Sequence, residues 1–179
     1  MKKPNVYKLT ISACFAAIIF IVTAFIPIKI PVFTQGYFNL GDCFIIIAAI
    51  LLNGMWGGLA GAVGASVADL VLGYAMYAPA TFFIKLTMGI TAYYIYKGLI
   101  KLKLKSEIIA TIISSVFAEI VMVVGYFLFE IVIYGIPTAV ADIIGNVLQG
   151  TCTIIAVSII FIFIKKSGFF SKLLNDKIK

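Results

Sequence analysis

Six apolar runs, separated by short polar connections and almost free of charge, leave this chain few ways to fold. They extend over about Leu9–Ile28, Leu40–Leu52, Trp56–Leu72, Pro79–Tyr96, Glu107–Ile133 and Ala139–Ile164. A helix crosses the hydrocarbon layer of a membrane with roughly 20 apolar residues, and in lipid the backbone must satisfy its own hydrogen bonds, as a helix does. The runs therefore predict an all-α integral membrane protein with six transmembrane helices, forming a single domain over residues 1–179. The second run is too short to cross an undisturbed bilayer alone, so neighbouring helices are expected to enclose it. Composition agrees: 63% of the chain is apolar and 12% charged, about half the charge of an ordinary soluble domain.

The connections carry the basic residues. All 14 cations are lysines. With the N-terminus inside, Lys2, Lys3, Lys8, Lys97, Lys101, Lys103, Lys105, Lys165, Lys166, Lys172, Lys177 and Lys179 lie on the cytoplasmic side, Lys29 falls in an outer loop and Lys85 within a span. This asymmetry predicts cytoplasmic termini, a short N-terminal segment 1–8 and a tail 165–179, in a bacterial cell membrane. It also accounts for the net charge of +7 without nucleic acid. The tail, with Phe169, Phe170, Leu173 and Leu174 among lysines, is expected to lie on the inner surface. After Lys8 the apolar run is longer than a signal-peptide core, so no cleaved leader is expected. Cys14, Cys43 and Cys152 sit in apolar runs without metal-ligand spacing and read as packing residues.

Small residues mark two helical faces. On the third run Gly57, Gly61, Gly64, Ala65 and Ala68 fall on one side, suited to close helix contact in lipid. On the first, Ala13 and Ala17 form a smooth patch near the inner end, open to another helix of this protein or of a partner. The glycine spacing is neither GxGxxG nor a P-loop and no Gly-Lys pair occurs, so no ATPase site and no enzyme activity is expected on this chain.

Ionisable groups inside spans are costly and normally face a partner or a wet cavity. Here Asp42, Asp69, Lys85, Glu130 and Asp142 all fall in the outer half, with Glu119 near mid-membrane. On the sixth run Asp142, Asn146, Gln149 and Thr153 line one face, and on the fifth Glu119, Met122, Tyr126 and Glu130 do so. The two stripes are expected to meet around an outward-facing pocket, with Tyr37, Asn39, Asp42 and Tyr74 as its other wall. Amides and acids there would meet ligand donors and acceptors, and tyrosines would give flat walls. Structural roles compete for several of these residues. Asp69 and Lys85 read as a helix-to-helix ion pair, although Lys85 also counts among the candidate ligand contacts, and Asp42 and Asp142 also read as helix N-caps. Lys29 and Lys85 are outnumbered by acids on the outer side, which favours a neutral or cationic ligand over folate, biotin or pantothenate. Without histidine, no nickel or cobalt site is expected.

The combination resembles the substrate-binding S components of energy-coupling factor (ECF) vitamin transporters. The residues that carry the likeness are Ala13-x-x-x-Ala17, Phe38-Asn39-Leu40-Gly41-Asp42, the block from Gly57-Gly58-Leu59-Ala60-Gly61 through Asp69 to Gly73-Tyr74, and Ala78-Pro79 with Phe83-Ile84-Lys85. It looks closest to the riboflavin, pyridoxine and hydroxymethylpyrimidine branch. The resemblance implies a six-helix protein that binds a vitamin from outside, with no cofactor, beneath the loop after the first helix. It further implies docking through Ala13 and Ala17 on a transmembrane coupling subunit with two ABC-type ATPases. A pyridoxine-type ligand is favoured, riboflavin and hydroxymethylpyrimidine next. The rival expectation is an autonomous ion-coupled secondary transporter with Glu119 as its ion site.

Overall fold

The structure is a computed structural model that describes residues 6–27, 37–104 and 106–167. Six helices follow one another: α1 Val6–Phe25, α2 Gly41–Leu52, α3 Gly54–Leu72, α4 Ala78–Lys101, α5 Glu107–Tyr134 and α6 Ile136–Lys166. Lys2, Lys3, Lys29, Phe33, Lys105 and the tail bearing Phe169 and Leu173 lie outside the described residues. Four helices, α1, α3, α5 and α6, are long and apolar enough to cross a membrane. The 24-residue α4 has the length but carries Lys85, Lys97 and Lys101 together with three threonines. At 12 residues, α2 extends only about 18 Å.

That short helix is the centre of the fold. Eleven of its 12 residues are buried, enclosed by α1, α3, α4 and α6, so the apolar run without polar alternation is a core helix wrapped in protein. The outer surface has the opposite character. Val132 (79% exposed), Phe163 (67%) and Phe83 (67%) point outward, an apolar exterior that a water-soluble chain would not maintain.

Local signals explain the element ends. A single residue, Asn53, turns the chain from α2 to α3 at φ 144°, and its side-chain oxygen accepts the Trp56 N–H at 3.1 Å as a cap. Ser106 caps α5 by accepting from Ile109 N–H at 3.3 Å. Helix α6 starts at Ile136, directly after Gly135 at φ 86° and with Pro137 in its first turn. It therefore begins three residues before the end of its apolar run suggests, and α4 continues five residues past Tyr96 to Lys101, because a helix can extend beyond its apolar stretch into a polar interface. The small-residue face of α3 lies against α2 and, at Gly64, α1, while Gly58 beside it meets α4. A methyl group on Gly57 would sit 2.2 Å from the Ala49 backbone nitrogen, and one on Gly89 would sit 2.5 Å from Gly58 Cα. The backbones touch there.

Candidate ligand cavity

The pocket lies at the end of the bundle opposite Val6 and Lys166, where α3, α5 and the segment before α2 end or begin together with α4 and α6. On α3, the last turn presents Asp69, and Gly73 in the left-handed conformation (φ 87°) lets the Tyr74 N–H reach the Asp69 carbonyl at 2.8 Å. Asp69 is 4% exposed, yet no lysine meets it. Its two carboxylate oxygens accept from the Tyr37 hydroxyl at 2.6 Å and from the Thr81 hydroxyl at 2.5 Å. Thr81 has one hydrogen to give, so the Tyr126 hydroxyl, 3.0 Å away, donates to it. Burial first and the Asp69 carboxylate second hold the Tyr37 phenol well above the usual tyrosine range, so it stays a donor at neutral pH.

A second tier lies beneath. Lys85 Nζ is 2.7 Å from Asp42 Oδ1 with both side chains almost fully buried, and it stands 5.2 Å over the Tyr126 ring. Asp42 Oδ2 accepts from Gln149 Nε2 at 2.8 Å, while Gln149 Oε1 accepts the Asn39 N–H at 3.0 Å. Asn39 Oδ1 in turn accepts from the Gly41 N–H at 2.9 Å. This corrects the expected Asp69–Lys85 ion pair: α2 brings Asp42 to the lysine, and Asp69 is satisfied by hydroxyls. Asp42 is also no N-cap, since the cap position is Leu40, without a side-chain bond, and Asp42 sits in the first turn of α2. Asp142 lies a turn and a half into α6, likewise inside the helix.

Between the tiers and the aromatic rim is a cavity of about 40 Å³, space for one or two waters. Tyr37, Asn39, Tyr74, Tyr126, Asn146 and Gln149 from the sequence-based set all line it. The other four candidates do not. Asp42 and Lys85 lie in the tier below, Asp142 is buried beside the cavity, and Glu119 borders a separate apolar groove between α5 and α6 with Val123, Val147 and Gly150. Four further residues line it without having been named as ligand contacts: Asp69, Tyr77, Thr81 and Glu130. In the sequence Asp69 reads as an ion-pair partner and Glu130 as part of the α5 stripe facing the pocket, while Thr81 has a signal in lying one turn from Lys85 on α4. Tyr77 holds the rim together: its ring packs against Tyr74, Tyr126, Phe129 and Tyr134 at centroid distances of 5.1 to 6.2 Å.

Among the described residues no lysine lines this cavity, and two acids, Asp69 and Glu130, do. Among the described residues no group of histidine, cysteine or acid side chains could hold a metal ion. The fold and this cavity define the class: a helical membrane protein with a polar and aromatic chamber at one end of the bundle. Residues 3–166 match the family described as "ECF-type riboflavin transporter, S component", and the chain belongs to that family. It is a vitamin-binding subunit of a transporter, embedded in the membrane. A relative from Pyrococcus woesei, described as "Uncharacterized protein in gap 3'region", is 36% identical over 135 residues, 75% of this chain and 86% of the relative. The fold is similar to a solved structure described as the S component of a bacterial ECF transporter, with a TM-score of 0.68, 20% identity and coverage of 93% of this chain and 98% of the other.

Proposed function

We propose that the chain captures a small neutral or cationic aromatic vitamin in the cavity between Tyr37, Tyr126 and Asn146. The ligand enters from outside the cell, and both termini lie in the cytoplasm. The chain then delivers its ligand by docking through the Ala13 and Ala17 face on a transmembrane coupling subunit driven by two ATPases. The observation that carries this reading is the cavity itself, rimmed by tyrosines and bordered by two acids and, among the described residues, by no lysine. That lining favours a neutral or cationic ligand over a phosphate or carboxylate. The chamber, about 40 Å³, is smaller than any of the candidate vitamins, so binding displaces part of the aromatic rim. Pyridoxine, which demands far less displacement than riboflavin, is favoured; riboflavin is the vitamin of the family description, and hydroxymethylpyrimidine is the third candidate. Mass spectrometry of small molecules carried through purification, followed by calorimetry with pyridoxine, riboflavin and hydroxymethylpyrimidine, tests the reading. Recovery of an anionic vitamin, or no binding of any of the three compounds, defeats it.

A second reading rests on Glu119, whose two carboxylate oxygens are buried with no hydrogen-bond partner among the described residues. An ion-coupled carrier with Glu119 as its ion site would take up the vitamin without a coupling module, and an uncoupler would stop that uptake.

A further inference from the structure

Most hydrogen-bonding capacity around the cavity is already spent within the protein. Both Asp69 oxygens are occupied, Thr81 and Tyr126 satisfy each other, and Gln149 is held at both ends of its amide. Besides the Tyr74 hydroxyl and the Asn39 side-chain nitrogen, which also have no hydrogen-bond partner among the described residues, two lining groups are left. Glu130 is 3% exposed, and its Oε2 is buried without a hydrogen-bond partner among the described residues. Asn146, 7% exposed, likewise has no side-chain hydrogen bond there. The other oxygen of Glu130 accepts from the Tyr77 hydroxyl at 3.3 Å, and Tyr77 is fixed by the ring contacts described above. The carboxyl is thus held in one orientation by a packed aromatic, with one oxygen left for something that enters the cavity. Among the described residues no lysine lines the cavity to pair with it. An acceptor held in this way asks for a donor.

We infer that Glu130 Oε2 is the specificity contact for the ligand, accepting an N–H borne by a nitrogen heterocycle, with the Asn146 amide bonding another polar atom of the same ligand. This inference rests on the vitamin-capture reading and narrows it to heterocycles with a ring-borne N–H. An acid and an amide lining one cavity suit such a ligand, because the carboxylate takes the N–H while the amide both donates and accepts. A pyridinium N–H or the imide N–H of a flavin supplies the donor; an N-methylated ring supplies none. Losing it leaves the carboxyl buried and unpaired, the costly way to lose a hydrogen bond.

The test is a cycle of calorimetric titrations on purified full-length protein. The probes are riboflavin with 3-methylriboflavin and pyridoxine with 1-methylpyridoxine, each methyl group deleting one N–H. They are measured against wild type and Glu130→Gln. For a parent compound that binds wild type, methylation is expected to weaken binding roughly 10- to 100-fold, the range for a hydrogen bond to a charged group. In Glu130→Gln the parent weakens and most of the methyl effect disappears, which identifies the two changes as one contact. Equal affinity of parent and methyl derivative for wild type overturns the inference, whether or not the variant folds. So does a methyl effect of undiminished size in the variant. In both cases the parent still binds and vitamin capture stands. If neither parent binds wild type, the role of Glu130 falls; binding of hydroxymethylpyrimidine, which has no ring-borne N–H, would leave vitamin capture standing, and no binding of it either would bring that reading down as well.

Discussion

Lys85 is 1% exposed in the middle of an apolar bundle, and its position is tolerable only because Asp42 lies 2.7 Å away. Two hydrogen bonds then connect that pair to the cavity wall, from Gln149 to Asp42 and from the Asn39 backbone to Gln149. Removing one partner leaves an uncompensated buried charge, which typically costs about 3 to 5 kcal/mol, whereas replacing both with apolar groups is often near neutral. Lys85→Met is therefore expected to lower the thermal unfolding midpoint in detergent sharply. Adding Asp42→Leu should restore most of it. The double variant should still bind ligand more weakly than wild type, because Gln149 has lost the carboxylate that orients it towards Asn39. A Lys85→Met protein as stable as wild type would show that the pair does not hold the bundle together.

At the scale of the helices, the small-residue face of α3 can be tested against a control on α4. Any side chain on Gly57 meets the α2 backbone at Ala48 and Ala49, which cannot yield as a flexible side chain would, whereas a methyl group on Gly98 meets nothing within 4 Å. Gly57→Ala is expected to cost at least as much as overpacking a core, about 1 to 3 kcal/mol. Gly98→Ala should be neutral or stabilise by up to about 1 kcal/mol through helix propensity. Thermal unfolding of the two variants checks this, and equal midpoints would contradict close backbone packing between α2 and α3. The packed face was legible in the sequence because helical spacing determines which residues share a side. Depth and rotation are not encoded in spacing. In the sequence Asp69 reads as the partner of Lys85 and Asp42 as a helix cap, because spacing does not say that α2 lies beside α4 and brings Asp42 to the lysine. The stripe from Glu119 to Glu130 is 11 residues long, about 16 Å of helix, and its two ends serve different cavities. The start of α6 was misjudged at Asp142 because the apolar run was weighted above Gly135 and Pro137, the residues that set the boundary. Tyr77 precedes the first turn of α4, where no periodic pattern could assign it a direction.

For the whole molecule, the cavity and the proposed docking face lie at different levels of the bundle. Ala13 and Ala17 are exposed along with Cys14, Ile18 and Ile21, a single outward face of α1, and Ala13 is about 18 Å along the helix from its far end at Phe25. A bulky residue at Ala13 therefore changes the outer surface without reaching the residues around Asp69 and Gln149. Ala13→Trp is expected to bind vitamin with wild-type affinity in calorimetry. In vesicles reconstituted with a coupling subunit, its ATPases and ATP, the same variant should lose vitamin uptake. Capture and delivery would then be separable functions of one chain, with the cavity responsible for the first and α1 for the second. An exposed small-residue face is also compatible with ordinary contact to lipid, and the two possibilities differ in their consequence. Lipid yields to a tryptophan, whereas a packed helix partner does not. Coupled uptake by Ala13→Trp at the wild-type rate would remove docking from this face, and uptake by the wild-type chain without any coupling module would favour the carrier built on Glu119.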